Sequence, residues 1–303
     1  MRRHFILSGL VLLAGCQRTP EQTAVRAADA QLRSNHTRAA MEIVESFLQQ
    51  HPNSIDLLRL RVVILLKAQE EDAAAAALDQ LPADDPVIIQ ALHQRDPDIR
   101  AAAAKLIADR SLRVGCRALV RGLDDPIPEV RRACVRALGQ RPDCAPIRPL
   151  YRALQDDNWY VRAEAAEAFG RLGEPRAAGW LVPLLNDSDG FVRFSVAGAL
   201  REIAGPANQD ILLEALRQTS GNQQLAVAAA LARMRRPEAL EVLARAPASG
   251  DADLRRLCAE ALGDYSAAEG RNILEALARD PDPTVRQAAE ETLQKTMNTA
   301  PAP

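Results

Sequence analysis

The stretch DDNWYVRAEAAEAFGRLG, residues 156–173, decides the fold of this 303-residue chain. An Asp-rich turn leads into a Val-Arg pair, and a run of alanines then ends in an aromatic residue and a glycine. Its apolar residues lie 0, 4, 7 and 8 positions from Val161, which places them on one face of an amphipathic helix. The stretch therefore predicts a turn followed by a helix that buries one face.

The same pattern recurs every 31 residues. EVRRACVRALG precedes the stretch by one period, and FVRFSVAGALR follows it by one period. The step continues in both directions to the positions of Ile99, Gln223, Leu254 and Val285. A fixed period of this length is typical of repeat proteins, so residues 86–298 are predicted to form seven consecutive units.

Each unit is predicted to contain two helices. Three prolines at 31-residue spacing suit the first turn of the first helix: Pro175, Pro206 and Pro237. Three glycines suit the end of the second helix: Gly139, Gly170 and Gly263. Alanine and leucine dominate the composition and only 3% of the residues are aromatic, which favours helix over strand. We therefore predict an all-α fold, a right-handed α-solenoid of helix pairs.

The repeated features resemble HEAT-like repeats, specifically the short type found in phycobilin lyases. The shared features are the Asp-rich turn, the Val-Arg pair, the A-x-x-x-A-L/F core and the glycine that follows it, over about 215 residues. Phycobilin lyases act in the cytoplasm on photosynthetic antenna proteins, whereas the N-terminal residues MRRHFILSGLVLLAGC of this chain resemble an export signal. The resemblance therefore implies the fold and not the activity.

An Asp-Arg pair accompanies most units. In four of them Asp lies six residues before Arg: Asp125 and Arg131, Asp156 and Arg162, Asp187 and Arg193, and Asp280 and Arg286. At this spacing the two side chains can meet within one repeat or across to the next. The resemblance implies a structural ladder between repeats, and the alternative is a stripe that binds anions. Gln218 and Gln224 replace both members together in the fifth unit, which favours the ladder and predicts a flexible join at residues 218–224.

The segment from residue 21 to residue 85 has a different pattern. It contains roughly four helical stretches, and two residue pairs are 34 positions apart: Pro52 and Pro86, and Ala40 and Ala74. This spacing resembles two degenerate tetratricopeptide repeats. The alternative is a helical cap that covers the open end of the solenoid.

Residues 1–15 resemble the signal peptide of a bacterial lipoprotein. The basic MRRH precedes the apolar FILSGLVLL, which is too short to span a membrane, and LLAGC follows. This lipobox implies acylation of Cys16, with residues 16–20 as a lipidated tether. Gln17 stands where inner-membrane retention signals usually have Asp, which favours a lipid-anchored protein of the outer membrane that faces the periplasm. Residues 299–303 are predicted to form a disordered tail.

The net charge bears on the kind of partner, and the cysteines bear on the core and on disulfide bonds. The formal net charge is -2, or -4 once residues 1–15 are removed, which does not favour nucleic acid. Cys134 and Cys258 occupy equivalent repeat positions where other units have Ala or Val, so they are predicted to be small core residues. An exported protein can form disulfides, and the four cysteines after Cys16 allow three pairings. A bridge between Cys116 and Cys144 is one candidate.

Large aromatic residues collect in two adjacent units. Trp159 and Tyr160 stand in the first turn of a second helix, and Phe191 and Phe194 occupy comparable positions one unit later. At 100° per residue, Trp159 lies about 160° from the core-facing Val161. Contiguous exposed apolar surface usually marks a contact site, so these four aromatics are predicted to form the main partner-binding patch. The alternative is that a neighbouring first helix or the Asp-rich turn covers them.

The sequence shows no pattern of catalytic residues. The mature histidines are His36, His51 and His93, and none belongs to an H-x-x-x-H or His-Glu pair. The deoxyhypusine hydroxylases, which are HEAT-repeat iron enzymes, build their metal site from His-Glu motifs that this chain lacks. Ser195 has no G-x-S-x-G motif and no nearby histidine. We therefore predict no enzyme activity, no cofactor and no metal.

Three functions stay open, of which a lipid-anchored scaffold or adaptor for another envelope protein is favoured. The second is a lyase-like catalytic HEAT protein, which would need a pocket for a small molecule. The third is a structural protein that binds peptidoglycan or lipopolysaccharide, because residues 113–152 contain nine Arg against four acidic residues. That third function would depend on Arg132, Arg136 and Arg148.

The lipobox predicts that Cys16→Ser releases the protein from the membrane fraction or leaves it unprocessed, because the sulfur that accepts the lipid is lost. Membrane fractionation tests this prediction, together with mass spectrometry of the mature N-terminal peptide. A wild-type peptide without acyl chains would contradict it.

Overall fold

The computed structural model describes residues 19–82, 85–110, 116–144, 147–265 and 267–298. Within these ranges the regular structure is helical throughout, with no strand. The chain divides into two compact units, of which the first reaches Val87 and the second starts at Ile88. Cys16, the predicted signal peptide and the predicted tail lie outside the described residues. In the described part of the chain, no helix has both the length and the apolar character needed to span a membrane.

The first unit contains four helices that pack in series: α1, Pro20–Arg33; α2, Thr37–Leu48; α3, Ile55–Lys67; and α4, Glu71–Leu78. A capping box starts α1, because the side chains of Thr19 and Gln22 each accept the backbone N–H of the other residue. Leucine, isoleucine and alanine side chains of these helices are buried, among them Leu57, Ile64 and Leu66. The segment with tetratricopeptide-like spacing therefore forms a compact helical unit.

The second unit consists, over the described residues, of seven helix pairs in the predicted 31-residue register. The first helices are α5, Val87–Ala91; α7, Cys116–Gly122; α9, Ile147–Ala153; α11, Ala178–Leu181; α13, Gln209–Gln218; α15, Pro237–Leu243; and α17, Ala267–Leu277. The second helices are α6, Pro97–Asp109; α8, Pro128–Gly139; α10, Trp159–Leu172; α12, Gly190–Ile203; α14, Gly221–Leu231; α16, Ala252–Ala261; and α18, Pro283–Asn298. Short 3-10 segments flank several of them: Pro175–Ala177, Val182–Asn186, Pro206–Asn208, Ala232–Met234, Ala246–Ala248 and Leu262–Asp264.

The second helices stack in a row, each against the next, from α6 to α18. The valines of the Val-Arg pairs are buried, as Val130, Val161 and Val192 show. Phe169 is the largest of the fully buried side chains, and the ring of Trp180 meets it edge-on at 5.7 Å between centroids. The apolar stripe of each second helix therefore forms the core.

Glycine lets neighbouring second helices approach closely at two joints. A Cβ atom on Gly139 would lie 2.6 Å from the Cβ of Ala168, and one on Gly170 would lie 3.2 Å from the Cα of Ala199. Gly170 lies near the end of α10, as predicted, but the helix continues to Leu172 and Gly173 forms the left-handed cap with a φ of 63°. Gly170 therefore serves packing between repeats.

The Asp-Arg pairs connect consecutive repeats, which is one of the two alternatives that their spacing left open. The Arg131 guanidinium donates from Nε and Nη2 to the two carboxylate oxygens of Asp156, both at 2.7 Å. Arg162 reaches Asp187 in the same way, with both distances at 2.8 Å. The other two contacts of this kind join Arg100 to Asp125 and Arg255 to Asp280. We call each of these four contacts a rung.

Backbone groups hold each rung from both sides. The Arg162 Nη1 atom donates to the carbonyl oxygens of Asp156 and Asp157 in its own turn, at 2.8 and 3.1 Å. The Asp187 carboxylate accepts the Asp189 N–H at 2.9 Å. The side chains of Arg162 and Asp187 are only 14% and 7% exposed. Because a buried, bidentate pair tolerates little change in geometry, each rung fixes one repeat on the next.

Two of the arginines predicted for the ladder make no rung in the described part of the chain. A rung joins residues 25 positions apart, so the position that would pair with Arg193 is occupied by Gln218, and Arg286 belongs to the last pair. Both still donate from Nη1 to turn carbonyls. Arg100 and Arg255, whose own repeats carry Asp at another offset, do form rungs because their partners come from the following repeat.

The rungs change the titration of the carboxylates that accept them. Burial raises the pKa of Asp156, but hydrogen bonds from Arg131 and the Asn158 N–H outweigh it and lower that pKa overall. The same balance lowers the pKa of Asp125 and Asp187, and the pKa of Asp280 is lowered chiefly by its hydrogen bond from Arg255. Such carboxylates stabilise the fold above their unfolded pKa and lose that effect as the pH falls through the folded pKa. The ladder therefore weakens in acid.

The fifth pair lacks a rung on either side, within the described residues, and is packed differently. Its second helix, α14, is buried at every residue from Leu225 to Leu231, and five of these are Ala or Val. The helices α12 and α16 contact each other across it, and the Arg201 Nη2 atom donates to Asp264 at 3.0 Å. The join predicted to be flexible, residues 218–224, therefore lies beside a contact that skips one repeat.

Cys116 and Cys144 form a disulfide, which joins the start of α7 to the turn after α8 in the second pair. Cys134 and Cys258 are buried free thiols, and burial raises the pKa of each to about 12. Both thiols are therefore protonated core side chains at neutral pH rather than reactive thiolates.

Arg162→Ala is expected to lower the free energy of unfolding by roughly 1–3 kcal/mol, because it removes a rung and leaves the buried Asp187 carboxylate with backbone donors only. Urea unfolding at pH 7, followed by circular dichroism, measures the change. Arg193→Ala is the matched control, since Arg193 occupies the equivalent position without a rung and its removal should have a smaller effect. Equal losses in the two variants would contradict the structural role of the rung.

Candidate binding groove

The faces of α8, α10 and α12 that are not used for the core form an open groove of about 420 Å³. The residues that line it are Arg132, Arg136, Trp159, Tyr160, Glu164, Glu167, Arg171 and Phe191. We call it the aromatic groove. It combines apolar rings with charged side chains, and aromatic residues and Arg are both enriched at protein interfaces.

Three aromatic side chains form a cluster in the groove. The rings of Trp159 and Tyr160 stack with centroids 3.6 Å apart, and Phe191 meets Trp159 edge-on at 5.7 Å. Tyr160 is 46% exposed and Phe191 is 52% exposed, whereas Trp159 is half-buried. The cluster therefore exposes an apolar surface to solvent, and the half-buried Trp159 ring lies beneath the two exposed rings.

Helix caps place the two exposed rings. The Asn158 side chain accepts the Tyr160 N–H at 2.9 Å and so starts α10. The Asp189 side chain accepts the Phe191 N–H at 2.8 Å and starts α12 in the same way. Both rings therefore stand in the first turn of a second helix, one repeat apart.

A buried glutamate organises the charged part of the groove. The side chain of Glu164 is 7% exposed and accepts hydrogen bonds from Arg132 Nε at 3.3 Å and Arg171 Nη2 at 2.8 Å. Glu167 accepts from Arg171 Nη1 at 3.3 Å and from the Ser195 hydroxyl at 3.0 Å. The Arg132 guanidinium lies 5.7 Å from the centre of the Tyr160 ring, within the range of a cation–π contact. Glu164 thus binds two arginines, one through each carboxylate oxygen.

Glu164 departs from the repeat pattern of the sequence. Glu164 lies three residues after Val161, and the equivalent positions in the neighbouring repeats are Ala133, Ser195 and Ala226. An acidic residue at a position that is small and uncharged in the adjacent repeats indicates a local role. This departure from the repeat pattern could have identified Glu164, and the arginines that bind it, as part of a site.

Phe194 is not part of the aromatic cluster, so the structure brings together three of the four residues of the predicted patch. No ring contact joins Phe194 to the other aromatics among the described residues, and it lies with the Arg256 guanidinium 5.2 Å from its ring centre. It lines a different cavity, at the starts of α12, α14 and α16. The sequence pattern describes neighbouring repeats, whereas the contact with Arg256 comes from two repeats away.

The arginines of residues 113–152 are largely paired with carboxylates. Arg131 forms a rung, and four more ion pairs are Arg132 with Glu164, Arg136 with Asp109, Arg141 with Asp143, and Arg152 with Asp124. Arg148 is exposed. Arg132 and Arg136 are the most exposed of the arginines that line the aromatic groove. The Arg136 side chain is 41% exposed and lies 3.6 Å from Asp109.

One group of possible metal ligands occurs in the described residues, and its chemistry does not suit a metal. It comprises Cys116, Asp143 and Cys144. Both sulfurs belong to the disulfide, so neither is a thiolate that could bind a metal ion. The Asp143 carboxylate also accepts two hydrogen bonds from Arg141, at 3.0 and 2.8 Å.

The model of the HEAT-repeat family matches residues 85–157, 147–224 and 210–294. No curated protein matches the chain. The complex of CpcE and CpcF of phycocyanin lyase from Nostoc sp. is 22% identical, with a TM-score of 0.48, over 72% of this chain and 92% of that chain. A designed armadillo repeat protein in complex with the peptide (KR)4 is 22% identical, with a TM-score of 0.41, over 70% of this chain and 99% of that chain. At these values neither structure carries an argument about ligands or partners.

Phe194→Ala is expected to lower the free energy of unfolding by about 1–3 kcal/mol, because the half-buried ring packs between α12 and α16. Phe191→Ala should change it by less than about 1 kcal/mol, because the Phe191 ring is largely exposed. Urea unfolding of the two variants in parallel measures both effects. Equal destabilisation would show that the two rings share one environment and would contradict their assignment to different sites.

Proposed function

This chain belongs to the HEAT-repeat family, and from that premise we propose that it is a scaffold that binds another protein of the cell envelope through the aromatic groove. The observation that carries the proposal is the exposure of Tyr160 and Phe191 beside Trp159, on one face of the solenoid. Solenoids present extended surfaces for binding. Clustered exposed apolar side chains usually mark a contact site.

The chemistry of the groove fits a protein partner. Trp, Tyr and Arg are the residue types that contribute most to protein–protein affinity, and all three occur here side by side. Glu164 holds Arg132 and Arg171 in place before a partner arrives, which reduces the entropy lost on binding. A partner that inserts an apolar side chain at Phe191 and offers acidic groups to Arg132 and Arg136 would satisfy both parts of the groove.

The proposed location is the periplasmic face of the outer membrane, with a lipid anchor on Cys16. The lipobox sequence supports the anchor, and Gln17 supports the choice of membrane. The disulfide between Cys116 and Cys144 supports an oxidising compartment, because such bonds are rare in reducing cytosol. The short tether, residues 16–20, would keep the folded part of the chain close to the lipid surface.

A second candidate function is binding of peptidoglycan or lipopolysaccharide, which the exposed Arg136 and Arg148 favour. Purified protein incubated with insoluble peptidoglycan or with lipopolysaccharide tests it by co-sedimentation. Binding that is lost on changing Arg132, Arg136 and Arg148 to Ala, and that survives loss of the aromatic rings, would favour this function over the scaffold.

The double variant Trp159→Ala with Phe191→Ala is expected to weaken partner binding at least about tenfold, or roughly 1.4 kcal/mol. It removes the half-buried Trp159 ring and one of the two exposed rings of the cluster. A photo-crosslinking amino acid placed at Tyr160 first captures the partner in intact cells. The affinity of the purified partner for the wild type and for each variant is then measured by isothermal titration calorimetry.

Ile211→Ala is the matched control, since Ile211 is 43% exposed on α13 and does not line the groove. This control should bind like the wild type. The proposal fails if the double variant folds normally and binds the partner as tightly as the Ile211 variant does.

A further inference from the structure

The four rungs define a recurring carboxylate site. In each, an arginine donates from Nε and Nη2 to the two carboxylate oxygens, at distances from 2.6 to 2.9 Å. The carboxylate also accepts the backbone N–H of the residue two positions later, as Asn158 donates to Asp156 at 2.9 Å. The molecule therefore shows, four times, which donors hold a carboxylate at this place in the repeat.

Arg193 presents the same donors without the carboxylate. Its Nη1 atom donates to the carbonyl oxygens of Asp187 and Ser188, at 2.8 and 3.1 Å, as the Nη1 atoms of the rung arginines do in their own turns. Its Nε and Nη2 atoms have no acceptor among the described residues. Gln218 stands at the position of the missing aspartate, and its side chain donates to Glu214 at 2.6 Å instead of facing Arg193.

The backbone donor of the site is also available. By analogy with Asn158, it is the N–H of Ser220, two residues after Gln218, and it has no acceptor among the described residues. Gln218 is exposed, and Ser220 lies in the turn before α14. A carboxylate from outside the chain can therefore reach the place that an aspartate side chain fills in the other repeats.

A small cavity lies beside Arg193. Its volume is about 30 Å³, enough for roughly two water molecules. Arg193, Asn222 and Asp251 supply polar groups to its wall. The Asp251 side chain caps α16 by accepting the Leu254 N–H at 3.0 Å, and it forms no ion pair with Arg193 within the described residues.

We propose that this vacant rung, formed by Arg193 and the turn at residues 218–220, binds a carboxylate of another protein. The planar fork of Arg193 matches a carboxylate in the same bidentate way as in the four rungs. The carboxylate is either an acidic side chain or a chain terminus. This site is separate from the aromatic groove and does not depend on the scaffold function proposed above.

The test is a titration of ¹⁵N-labelled protein, observed through the Nε–Hε signals of its arginines at constant ionic strength and pH 7. Three capped peptides serve as probes: acetyl-Gly-Glu-Gly-amide carries only a side-chain carboxylate, acetyl-Gly-Gly-Gly carries only a terminal one, and acetyl-Gly-Gln-Gly-amide carries none. The Arg193 signal, assigned by its loss in Arg193→Lys, should respond with saturation to one or both carboxylate peptides and not to the Gln peptide. The comparison between the two carboxylate peptides identifies the source of the carboxylate.

The matched variant is Gln218→Asp, which restores the aspartate of the other repeats. It should raise the melting temperature and abolish the response of Arg193 to both carboxylate peptides. The exposed Arg148 measures non-specific attraction in the same spectra. A response of Arg193 that is no larger than that of Arg148, or that persists unchanged in Gln218→Asp, would overturn the proposal. Neither outcome bears on the groove, whose test uses Trp159 and Phe191.

Discussion

A guanidinium that reaches the carboxylate of the following repeat is the contact on which the second unit depends. A buried ion pair stabilises only when both charges keep their partners and hydrogen bonds, because removing one partner leaves the other desolvated. Arg131 and Asp156 meet this condition through bidentate contact, a backbone carbonyl that accepts from Arg131 and a backbone N–H that donates to Asp156. The pair therefore tolerates only one relative position of two repeats. The apolar stripes and the close glycine contacts are compatible with that position, and together they give the row of second helices a regular spacing.

The fifth pair shows what the chain does where this constraint is absent. No rung is present on either side among the described residues, five of the seven buried residues of α14 are Ala or Val, and α12 contacts α16 across this helix. Two contacts instead join the fourth pair to the sixth: Arg201 donates to Asp264, and the Arg256 guanidinium lies over the Phe194 ring. Over the same described ranges, the missing aspartate leaves Arg193 with two donors that have no acceptor. The two missing rungs thus coincide with an unusual packing arrangement, and one of them leaves a candidate binding position.

The sequence predicts those features that recur with the period and misses those that do not. Helix pairs, buried valines and the pairing of Asp with Arg recur, so their positions follow from the 31-residue step. The direction of each rung does not follow, because Asp156 lies six residues before Arg162 and also 25 residues after Arg131. The exposure of Tyr160 agrees with the helical geometry of its own repeat. Phe194 differs because its environment comes from α16, and periodicity between neighbours contains no information about a contact that skips a repeat.

The placement of rung partners in different repeats bears on how such a chain can change its length. If residues 132–162 were deleted as a block, Arg131 would stand 25 residues before Asp187, the separation that every rung requires. The shortened chain would therefore close the gap with an existing pair and need no new charge. A deletion that is not a whole number of repeats would separate the partners at that joint. Duplication or loss of a whole repeat thus keeps the spacing of the rung partners, whereas a small insertion inside a repeat changes it.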